Sequence, residues 1–317
     1  MSDTPLAIGI DFGGTTVKAG VLYRSNVISN AKPIETQNFQ GADALVQEIA
    51  RVIGELQKLH PNVAAIGVGV PGFVDFKTGL VHNVTNVEGW VRYPLKRRLE
   101  ALTKLPVTAE NDANCMAYAE WKRGSGRGVK NLVALTLGTG VGGGFVVNGQ
   151  MVRGAKSLAG ELGQASIDYQ GRTGTYGNRG ALEKYIGNVQ IAETAVEAYA
   201  AAGETKTLEE CSPAHLAKRA IRHDLIAQQI WDGVAEKLAC ALMNCCWLLN
   251  PDAIIIGGGV ARAGTVLFGP LEHALQRQLS TPFKESLRIL PARFGNEAGI
   301  IGAATLALEE AGYNVDD

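Results

Sequence analysis

Two apolar segments of strand length, residues 6–10 and 17–22, enclose a turn of small residues near the amino terminus. That turn contains Gly13, Gly14, Thr15 and Thr16. The order of apolar segment, turn and apolar segment predicts a β-hairpin. Glycine lets backbone N–H groups converge on an anion, and threonine adds donors without blocking access, so the turn is suited to bind a phosphate. An ordinary tight hairpin is the alternative interpretation of this segment by itself.

Charged residues flank this turn on both sides. Asp11 ends the first apolar segment, where a carboxylate can hold a hydrated Mg²⁺ ion. Lys18 follows the turn and either approaches a phosphate as a point charge or lies exposed to solvent. The turn and its flanks therefore fit a phosphate group that arrives with a divalent cation.

The same pattern occurs a second time in residues 132–147. Its turn again combines glycine with threonine: Thr136, Gly138, Thr139 and Gly140. An apolar segment leads into this turn and another leads out of it, which predicts a second hairpin. Two such hairpins, far apart in the chain, favour phosphate binding over the ordinary turn and suggest two halves that face one ligand.

Elsewhere, helix-length and strand-length segments alternate. Helices are predicted over residues 42–59, 181–202, 224–249 and 298–311, and buried strands over residues 63–70 and 253–256. Such alternation is typical of an α/β protein. The chain of 317 residues is long enough for two domains with substantial cores.

The pair of hairpins resembles the two phosphate loops of the actin-like sugar kinase and Hsp70 superfamily. Further motifs resemble one branch of it, the ROK family (repressor, open reading frame, kinase). This resemblance implies a two-domain α/β fold of the actin-like ATPase (ribonuclease H-like) type with an interdomain cleft, and a homodimer. We expect residues 1–123 to form a small domain that the C-terminal helix, residues 298–317, completes. Residues 124–297 are expected to form a large domain.

The composition excludes several other classes of protein. Hydrophobic residues make up 46% and charged residues 19% of the chain, as in soluble globular proteins. The net charge of −1 gives no electrostatic footprint for nucleic acid. There is no signal peptide and no apolar run that could span a membrane, so we expect a cytoplasmic protein without membrane contact. Five cysteines without C-x-x-C spacing are expected to be reduced thiols.

Asp112 is the best candidate for a catalytic residue. It lies in the polar string of residues 110–114, between a predicted short strand and a helix, where an aspartate commonly caps the helix. Capping alone does not explain the whole string, which resembles the N-D-A-N motif of ROK kinases. The resemblance implies that Asp112 accepts the proton of a sugar hydroxyl attacking ATP, and that Asn111 binds the sugar. An aspartate is ionised at neutral pH, as a base must be.

Further polar residues fall on positions that bind the sugar in the ROK family. They are Asn86, Asn111, Glu161 and Glu183. Asn and Glu offer the donors and acceptors that sugar hydroxyl groups need, although most glutamates are simply surface carboxylates. Gly72 is expected to let the backbone approach the sugar. Trp90 is expected to be a core aromatic rather than a stacking platform.

Three consecutive glycines, Gly257, Gly258 and Gly259, follow a predicted strand and precede a helix. They resemble the family's adenosine loop, where glycine allows the purine to lie close to the backbone. Glycines between a strand and a helix are also frequent in other folds. Together with the two phosphate-type turns, this resemblance implies ATP and Mg²⁺ as cofactors.

The chain lacks the zinc motif of most ROK kinases. The positions of its three cysteines are occupied by Gly174, Tyr176 and Ala181, and the position of its histidine by Gln164. All four ligands are absent together, so we expect no zinc site and no metal other than the Mg²⁺ that arrives with ATP. The loop is expected to be ordered by hydrogen bonds and packing, with Tyr169 and Tyr176 as anchors. The amide of Gln164 is expected to reach a sugar hydroxyl.

The resemblance implies an ATP-dependent kinase that phosphorylates a hexose, with glucose as the first candidate and glucose 6-phosphate as its product. Other hexoses (N-acetylglucosamine, N-acetylmannosamine, mannose or fructose) and polyphosphate as the donor remain open. Retention of Asp112 and of both turns argues against a sugar sensor without activity. A ROK repressor would carry a DNA-binding winged helix ahead of the first hairpin, and we expect none because few residues precede Leu6.

Overall fold

The computed structural model describes residues 5–84, 87 and 89–315. The strands, in chain order, are β1 (Leu6–Phe12), β2 (Thr16–Tyr23), β3 (Asn26–Asn30), β4 (Ile34–Glu35), β5 (Val63–Val70), β6 (Gly72–Asp75), β7 (Leu80–Val84), β8 (Tyr93–Pro94), β9 (Val107–Asn111), β10 (Leu132–Leu137), β11 (Val141–Val147), β12 (Gln150–Met151), β13 (Ala253–Gly257) and β14 (Arg288–Pro291). The helices are α1 (Gly41–Leu59), α2 (Leu95–Thr103), α3 (Asp112–Arg123), α4 (Glu183–Ile186), α5 (Asn188–Ala201), α6 (Pro213–Ile221), α7 (Leu225–Leu249), α8 (Thr265–Gln278), α9 (Thr281–Ser286) and α10 (Ala298–Glu310). Short 3-10 helices lie at Thr36–Asn38, Leu162–Gln164, Val260–Ala263 and Gly295–Glu297.

The chain forms two compact units, each made of segments that are not contiguous in sequence. Unit 1 contains the described residues of Met1–Gly128, Met151–Gly160 and Arg293–Asp317, and unit 2 contains Val129–Gln150 and Glu161–Ala292. The sequence analysis assigned residues 151–160, here named the strap, to the large domain. In the structure the strap belongs to unit 1, because Phe76 and Glu110 of that unit bind it.

Unit 1 is built on a mixed sheet with the strand order β3-β2-β1-β5-β9, in which β4 also pairs with β2. Strands β1 and β2 are antiparallel, whereas β5 runs parallel to β1 and β9 runs parallel to β5. Helix α1 packs its apolar stripe, which includes Leu45, Ile49 and Ile53, into the same core as Ile8 and Ile10 of β1. A small antiparallel sheet with the order β6-β7-β8, which the sequence analysis did not predict, also belongs to this unit.

Helix α10 is buried on nearly all sides and closely approaches the sheet of unit 1. Gly9 of β1 and Gly67 of β5 lie directly against the backbone carbonyl groups of Ile300 and Ala303. A Cβ atom at either glycine would overlap those carbonyl groups, so glycine is required for this approach. The C-terminal helix is therefore part of the core of unit 1.

Unit 2 repeats the arrangement of the first sheet. Its strand order is β12-β11-β10-β13-β14, with β10 and β11 antiparallel, β13 parallel to β10, and β14 parallel to β13. In both sheets, therefore, the parallel strands are added next to the first strand of the hairpin, on the side away from its second strand. The long helix α7 lies in the core of unit 2, where Trp231, Leu238 and Leu242 are buried.

The continuous helix predicted over residues 181–202 is wrong, since α4 and α5 are separated at Gly187. Gly187 has a ψ angle of 157°, which is extended backbone. A Cβ atom there would lie 2.8 Å from the carbonyl oxygen of Thr139, and the N–H of Asn188 donates to the carbonyl of Gly138 at 2.9 Å. The break thus brings the start of α5 to the second Gly/Thr turn.

Among the described residues, no helix combines the length and the apolar character that crossing a membrane requires.

Candidate functional site

The first Gly/Thr turn connects β1 and β2, so the predicted hairpin is confirmed. The N–H of Gly13 donates to the carbonyl of Thr16 at 2.9 Å and closes the turn. Thr36 holds the turn from outside, because its Oγ1 donates to the carbonyl of Gly14 at 2.9 Å. The N–H of Thr36 also donates to the carbonyl of Thr15 at 3.0 Å. These bonds fix the backbone of the turn through a residue that the sequence analysis did not identify.

Asp11 and Lys18 are paired in register across this hairpin. Burial raises the pKa of Asp11 above its usual range, and the charge of Lys18 partly offsets that rise. The first turn of α10 lies against Asp11, since a Cβ atom at Gly299 would be 2.7 Å from its Oδ1. One carboxylate beside a phosphate-type turn fits a Mg²⁺ ion that is held mainly by the phosphates of a nucleotide.

The second Gly/Thr turn connects β10 and β11, and this hairpin is also confirmed. The N–H of Gly138 donates to the carbonyl of Gly140 at 3.0 Å, and the N–H of Asn188 ties Gly138 to the start of α5. The carboxylate of Glu183 accepts from the N–H of Val141 at 3.3 Å. Glu183, predicted as a sugar ligand, therefore lies against this turn.

The three glycines after β13 lie next to the second hairpin. Gly258 has a φ angle of 89°, and a Cβ atom there would overlap the backbone of Leu137, the last residue of β10. Gly259 lines a cavity of about 670 Å³ within unit 2, together with Asn188, Glu209 and mainly apolar side chains. That volume lies in the range of small-molecule sites. Asn188 both lines the cavity and anchors the Gly/Thr turn.

Asp112 is the first residue of α3 and directly follows β9. The cap of this helix is Asn111, whose Oδ1 accepts from the N–H of Asn114 at 3.1 Å. The alternative interpretation of Asp112 as the cap is therefore wrong. Oδ1 of Asp112 accepts from the N–H of Ala113 at 2.8 Å. Nδ2 of Asn111 donates to the carbonyl of Gly72 at 3.2 Å, which joins two of the candidate sugar ligands.

Parallel strands bring the candidates of unit 1 to one edge of its sheet. Asp11 lies near the carboxyl end of β1, Gly72 follows the end of β5, and Asn111 and Asp112 lie at the end of β9. Because carboxyl ends of parallel strands meet at the same edge, these residues form one cluster. In unit 2 the same relation brings Gly138, after β10, close to Gly257 at the end of β13.

Glu161, Gln164 and Glu183 are the predicted sugar ligands of unit 2. Although much of Glu161 is exposed, partial burial of its carboxylate and the charge of Glu183 raise its pKa. The two carboxylates are therefore close enough to interact. Oε1 of Gln164 is buried and has no hydrogen-bond partner among the described residues, so this acceptor suits a hydroxyl donor from a ligand or water. Asn86 lies outside the described residues.

The loop that occupies the place of the family's zinc motif is held by hydrogen bonds. Nδ2 of Asn178 donates to the backbone carbonyl of Gln164 at 2.7 Å. Backbone hydrogen bonds also cross the loop, and in one of them the N–H of Gly180 donates to the backbone carbonyl of Arg172 at 2.7 Å. The predicted aromatic anchors are wrong, since Tyr169 is 81% exposed and Tyr176 is 62% exposed.

The donor set of this loop does not fit zinc. It contains no cysteine or histidine, whereas structural zinc takes about four nitrogen or sulfur ligands. The part of the chain that the structure describes has no group of three or more His, Cys, Asp or Glu side chains that could hold a metal ion. Elsewhere, burial raises the pKa of the Cys245 thiol to about 11, which disfavours a thiolate ligand. The absence of zinc from the purified protein stays a prediction.

Trp90 and Glu110 also lie in unit 1, and the sequence analysis predicted the burial of Trp90 but not that of Glu110. Trp90 is 1% exposed and packs against Phe12 and Tyr93, so its prediction as a core aromatic is confirmed. Glu110 was treated only as part of the polar string, yet it is also 1% exposed. The position of Glu110 directly after a predicted short strand is the sequence feature that could have indicated a special role for this carboxylate.

Comparisons with known proteins agree over nearly the whole chain. The ROK family model matches residues 7–310. A glucokinase from Halalkalibacterium halodurans is 33% identical over 314 residues, which cover 96% of this chain and 95% of that protein. A beta-glucoside kinase from Listeria monocytogenes is 31% identical over 302 residues, which cover 95% of this chain and 96% of that protein.

A solved structure gives the same result at the level of the fold. The ROK family glucokinase from Streptomyces griseus, in complex with glucose and AMPPNP, has a TM-score of 0.81 at 29% identity. The match covers 96% of this chain and 99% of that chain. These matches confirm the two-domain actin-like ATPase fold that the resemblance implied, and the chain belongs to the ROK family.

Proposed function

We propose that this chain is a hexose kinase that transfers the terminal phosphoryl group of ATP to glucose and forms glucose 6-phosphate. The observation that carries the proposal is the cluster at the sheet edge of unit 1, where Asp112 follows β9 beside Asn111 and Gly72. A carboxylate next to hydroxyl-binding groups and a phosphate-type turn suits the activation of a hydroxyl near a phosphate. The 33% identity to a glucokinase supports the same reaction.

In this reaction a sugar hydroxyl oxygen forms a bond to the terminal phosphorus of ATP while the bond from that phosphorus to the oxygen of ADP breaks. The hydroxyl proton passes to Asp112. Asn111 rather than Asp112 is the cap of α3, which supports the role of Asp112 as a general base.

The nucleotide is proposed to use groups of both hairpins. The backbone N–H groups of the two Gly/Thr turns suit its phosphates. The cavity beside Gly259 suits the nucleoside, because glycine lets a flat ring lie close to the backbone. Mg²⁺ supplies neutralisation of phosphate charge when it is bound with ATP, and Asp11 is the residue that would hold it.

The sugar is proposed to bind Asn111, Glu161, Gln164 and Glu183. Two neighbouring carboxylates are strong acceptors for hydroxyl groups, and the amides add donors and further acceptors. A second candidate substrate is a beta-glucoside, which the 31% identity to a beta-glucoside kinase favours. A homodimer is also proposed, from the family resemblance, and light scattering during gel filtration tests it.

A coupled assay of ADP release tests the proposed function. Wild-type protein with MgATP is assayed over a panel of glucose, mannose, fructose, N-acetylhexosamines and a beta-glucoside, with polyphosphate as a parallel donor. Glucose should give the highest kcat/KM, and ATP should be the better donor. Highest activity on the beta-glucoside would replace glucose with the second candidate, and sugar binding without ADP release from any member would overturn the kinase.

The variant Asp112→Asn tests the assignment of the base. It should lower kcat by about 10²–10⁴ while calorimetry still detects glucose binding. The matched control Asp43→Asn removes an exposed carboxylate of the same unit and should leave kcat unchanged. An Asp112→Asn protein that keeps more than about a tenth of the wild-type kcat would exclude Asp112 from the role.

A further inference from the structure

Glu110, the residue before Asn111, has a buried and fully engaged carboxylate. Its side chain is 2% exposed. Oε1 accepts from the N–H of Asn111 at 2.8 Å and from Nδ2 of Asn114 at 3.1 Å. Oε2 accepts from Nε of Arg153 at 2.7 Å. Burying a carboxylate costs free energy unless it is paired and hydrogen-bonded, and these donors offset that cost for Glu110.

Arg153 comes from the strap and is itself held in one orientation. Its guanidinium group lies over the ring of Phe76, with 3.6 Å between Cζ and the ring centroid. The N–H of Phe76 donates to Oγ of Ser157 at 3.2 Å, which ties the strap to unit 1 a second time. A planar guanidinium both stacks on a ring and binds a carboxylate, and the point charge of lysine reproduces only part of these contacts.

The Glu110–Arg153 pair supports the turn that carries the proposed base. Oε1 of Glu110 binds the backbone just before Asp112 and the side chain of Asn114 just after it. Asn111 bridges the same turn by accepting from the N–H of Asn114. The backbone around Asp112 is thus fixed from both sides by one buried carboxylate, and the direction of that carboxylate is fixed by Arg153.

We propose that Glu110 and Arg153 are positioning residues for phosphoryl transfer, which hold Asn111 and Asp112 in the orientation that the reaction needs. The inference rests on the proposed function of the cluster. The two residues act through the turn and take no proton themselves. Because a displacement of about 1 Å at a reacting group can cost about 10²-fold in rate, loss of the pair should affect turnover more than nucleotide binding.

The main test is the variant Arg153→Met, which keeps an apolar side chain against Phe76 and removes the charged guanidinium group. We expect kcat to fall by about 10–100-fold while KM for ATP stays within about twofold. The kcat of Arg153→Lys should lie between those of wild type and Arg153→Met, because lysine restores the positive charge but not the planar guanidinium group. Glu110→Gln should resemble Arg153→Met, and the double variant should be no worse than the worse single variant, because the two residues act as one unit.

The control is Arg98→Met, which breaks an exposed ion pair with Asp43 in the same unit. It should leave kcat and KM within about twofold of wild type, as is usual for exposed pairs. Circular dichroism and a cooperative thermal transition show that each variant is folded. If Arg153→Met does not fold, Arg153→Lys and Glu110→Gln carry the same test.

Unchanged kcat in the folded Arg153 variants, even with a lower melting temperature, would show a purely structural pair and overturn the proposal. Additive losses in the double variant would also overturn it. Amide hydrogen exchange separates this proposal from the proposed function, because it does not require activity. Arg153→Met should speed exchange at residues 111–114 and Arg98→Met should not, and equal exchange in wild type and Arg153→Met would overturn the positioning role whether or not the protein is a kinase.

Discussion

The first hairpin, β1–β2, and the second hairpin, β10–β11, share one sequence pattern but differ in where their charges come from. The first carries Asp11 and Lys18 on its own strands, opposite each other in register. The second has no charged residue between positions 132 and 147. Its nearby carboxylate belongs to Glu183, which accepts from the N–H of Val141. The first hairpin therefore carries charged side chains of its own, whereas the second carries none.

The two hairpins also differ in what supports them. The side chain of Thr36 ties the first turn, and α10 covers Asp11 at its base. The second turn is tied by Asn188 at the start of α5, and Gly258 lies against the last residue of β10. Similar local sequences thus specify similar turns, while the electrostatics and rigidity of each turn depend on distant segments of its own unit.

The largest expected effect tests the support of the second hairpin at Gly258. The substitution Gly258→Ala places a Cβ atom into the backbone of Leu137 at a φ angle of 89°. Strain and overlap together should lower the free energy of unfolding by roughly 3 kcal/mol or more. Urea denaturation followed by circular dichroism measures this change.

The adjacent glycine provides the matched control. Gly259 has a φ angle of −63°, and a Cβ atom there would meet open space. Gly259→Ala should therefore change the free energy of unfolding by no more than about 0.5 kcal/mol. Equal effects of the two substitutions would show that the close approach to β10 does not support the hairpin.

The second-largest effect is expected from Asp11, whose charge distinguishes the first hairpin from the second. Asp11→Asn should raise the Mg²⁺ concentration needed for half-maximal activity by about 10–100-fold, since a carboxylate near the ion is lost. The same change should increase the free energy of unfolding at neutral pH. Burial raises the pKa of Asp11, so the ionised side chain destabilises the native state at pH values above that raised pKa.

The sign of the stability change depends on pH in a defined way. As the pH falls through the raised pKa toward the usual value of 3.8, the penalty for ionised Asp11 disappears. The stability advantage of Asp11→Asn should therefore be lost at about pH 3. Lys18→Met should have the opposite effect at neutral pH, because the charge of Lys18 lowers the pKa of Asp11. An Asp11→Asn protein that is less stable than wild type at pH 7 would contradict this account.

A smaller effect is expected from the side-chain tie of the first turn. Thr36 is 5% exposed, and Thr36→Val keeps its shape but removes the hydrogen bond to Gly14. The free energy of unfolding should fall by about 1 kcal/mol, the usual contribution of such a bond. Thr139→Val in the exposed part of the second turn should cost less than about 0.5 kcal/mol. Urea denaturation of both variants compares the hairpins directly, and equal losses would show that Thr36 has no special role.

The sequence predicted both hairpins because apolar segments around Gly/Thr turns form a local pattern that needs no distant partner. It also predicted the α/β class, since helices and strands alternate along the chain. It could not reveal the tie from Thr36 or the pairing of Glu110 with Arg153, which depend on tertiary contacts between distant positions. The helix predicted over residues 181–202 failed because the requirement for extended backbone at Gly187 arises from packing against the second turn.

The smallest expected effect is the response of the second hairpin to a zinc chelator. Glu183, which contacts that hairpin, follows a loop that occupies the place of the family's zinc motif but contains no Cys or His. Asn178 instead binds the carbonyl of Gln164, and backbone bonds cross the loop. Because hydrogen bonds rather than a metal hold this loop, a zinc-selective chelator should leave the melting temperature and kcat unchanged when Mg²⁺ is in excess. Elemental analysis should find no stoichiometric zinc. About one zinc ion per chain, lost together with activity on chelation, would show that a metal orders the loop.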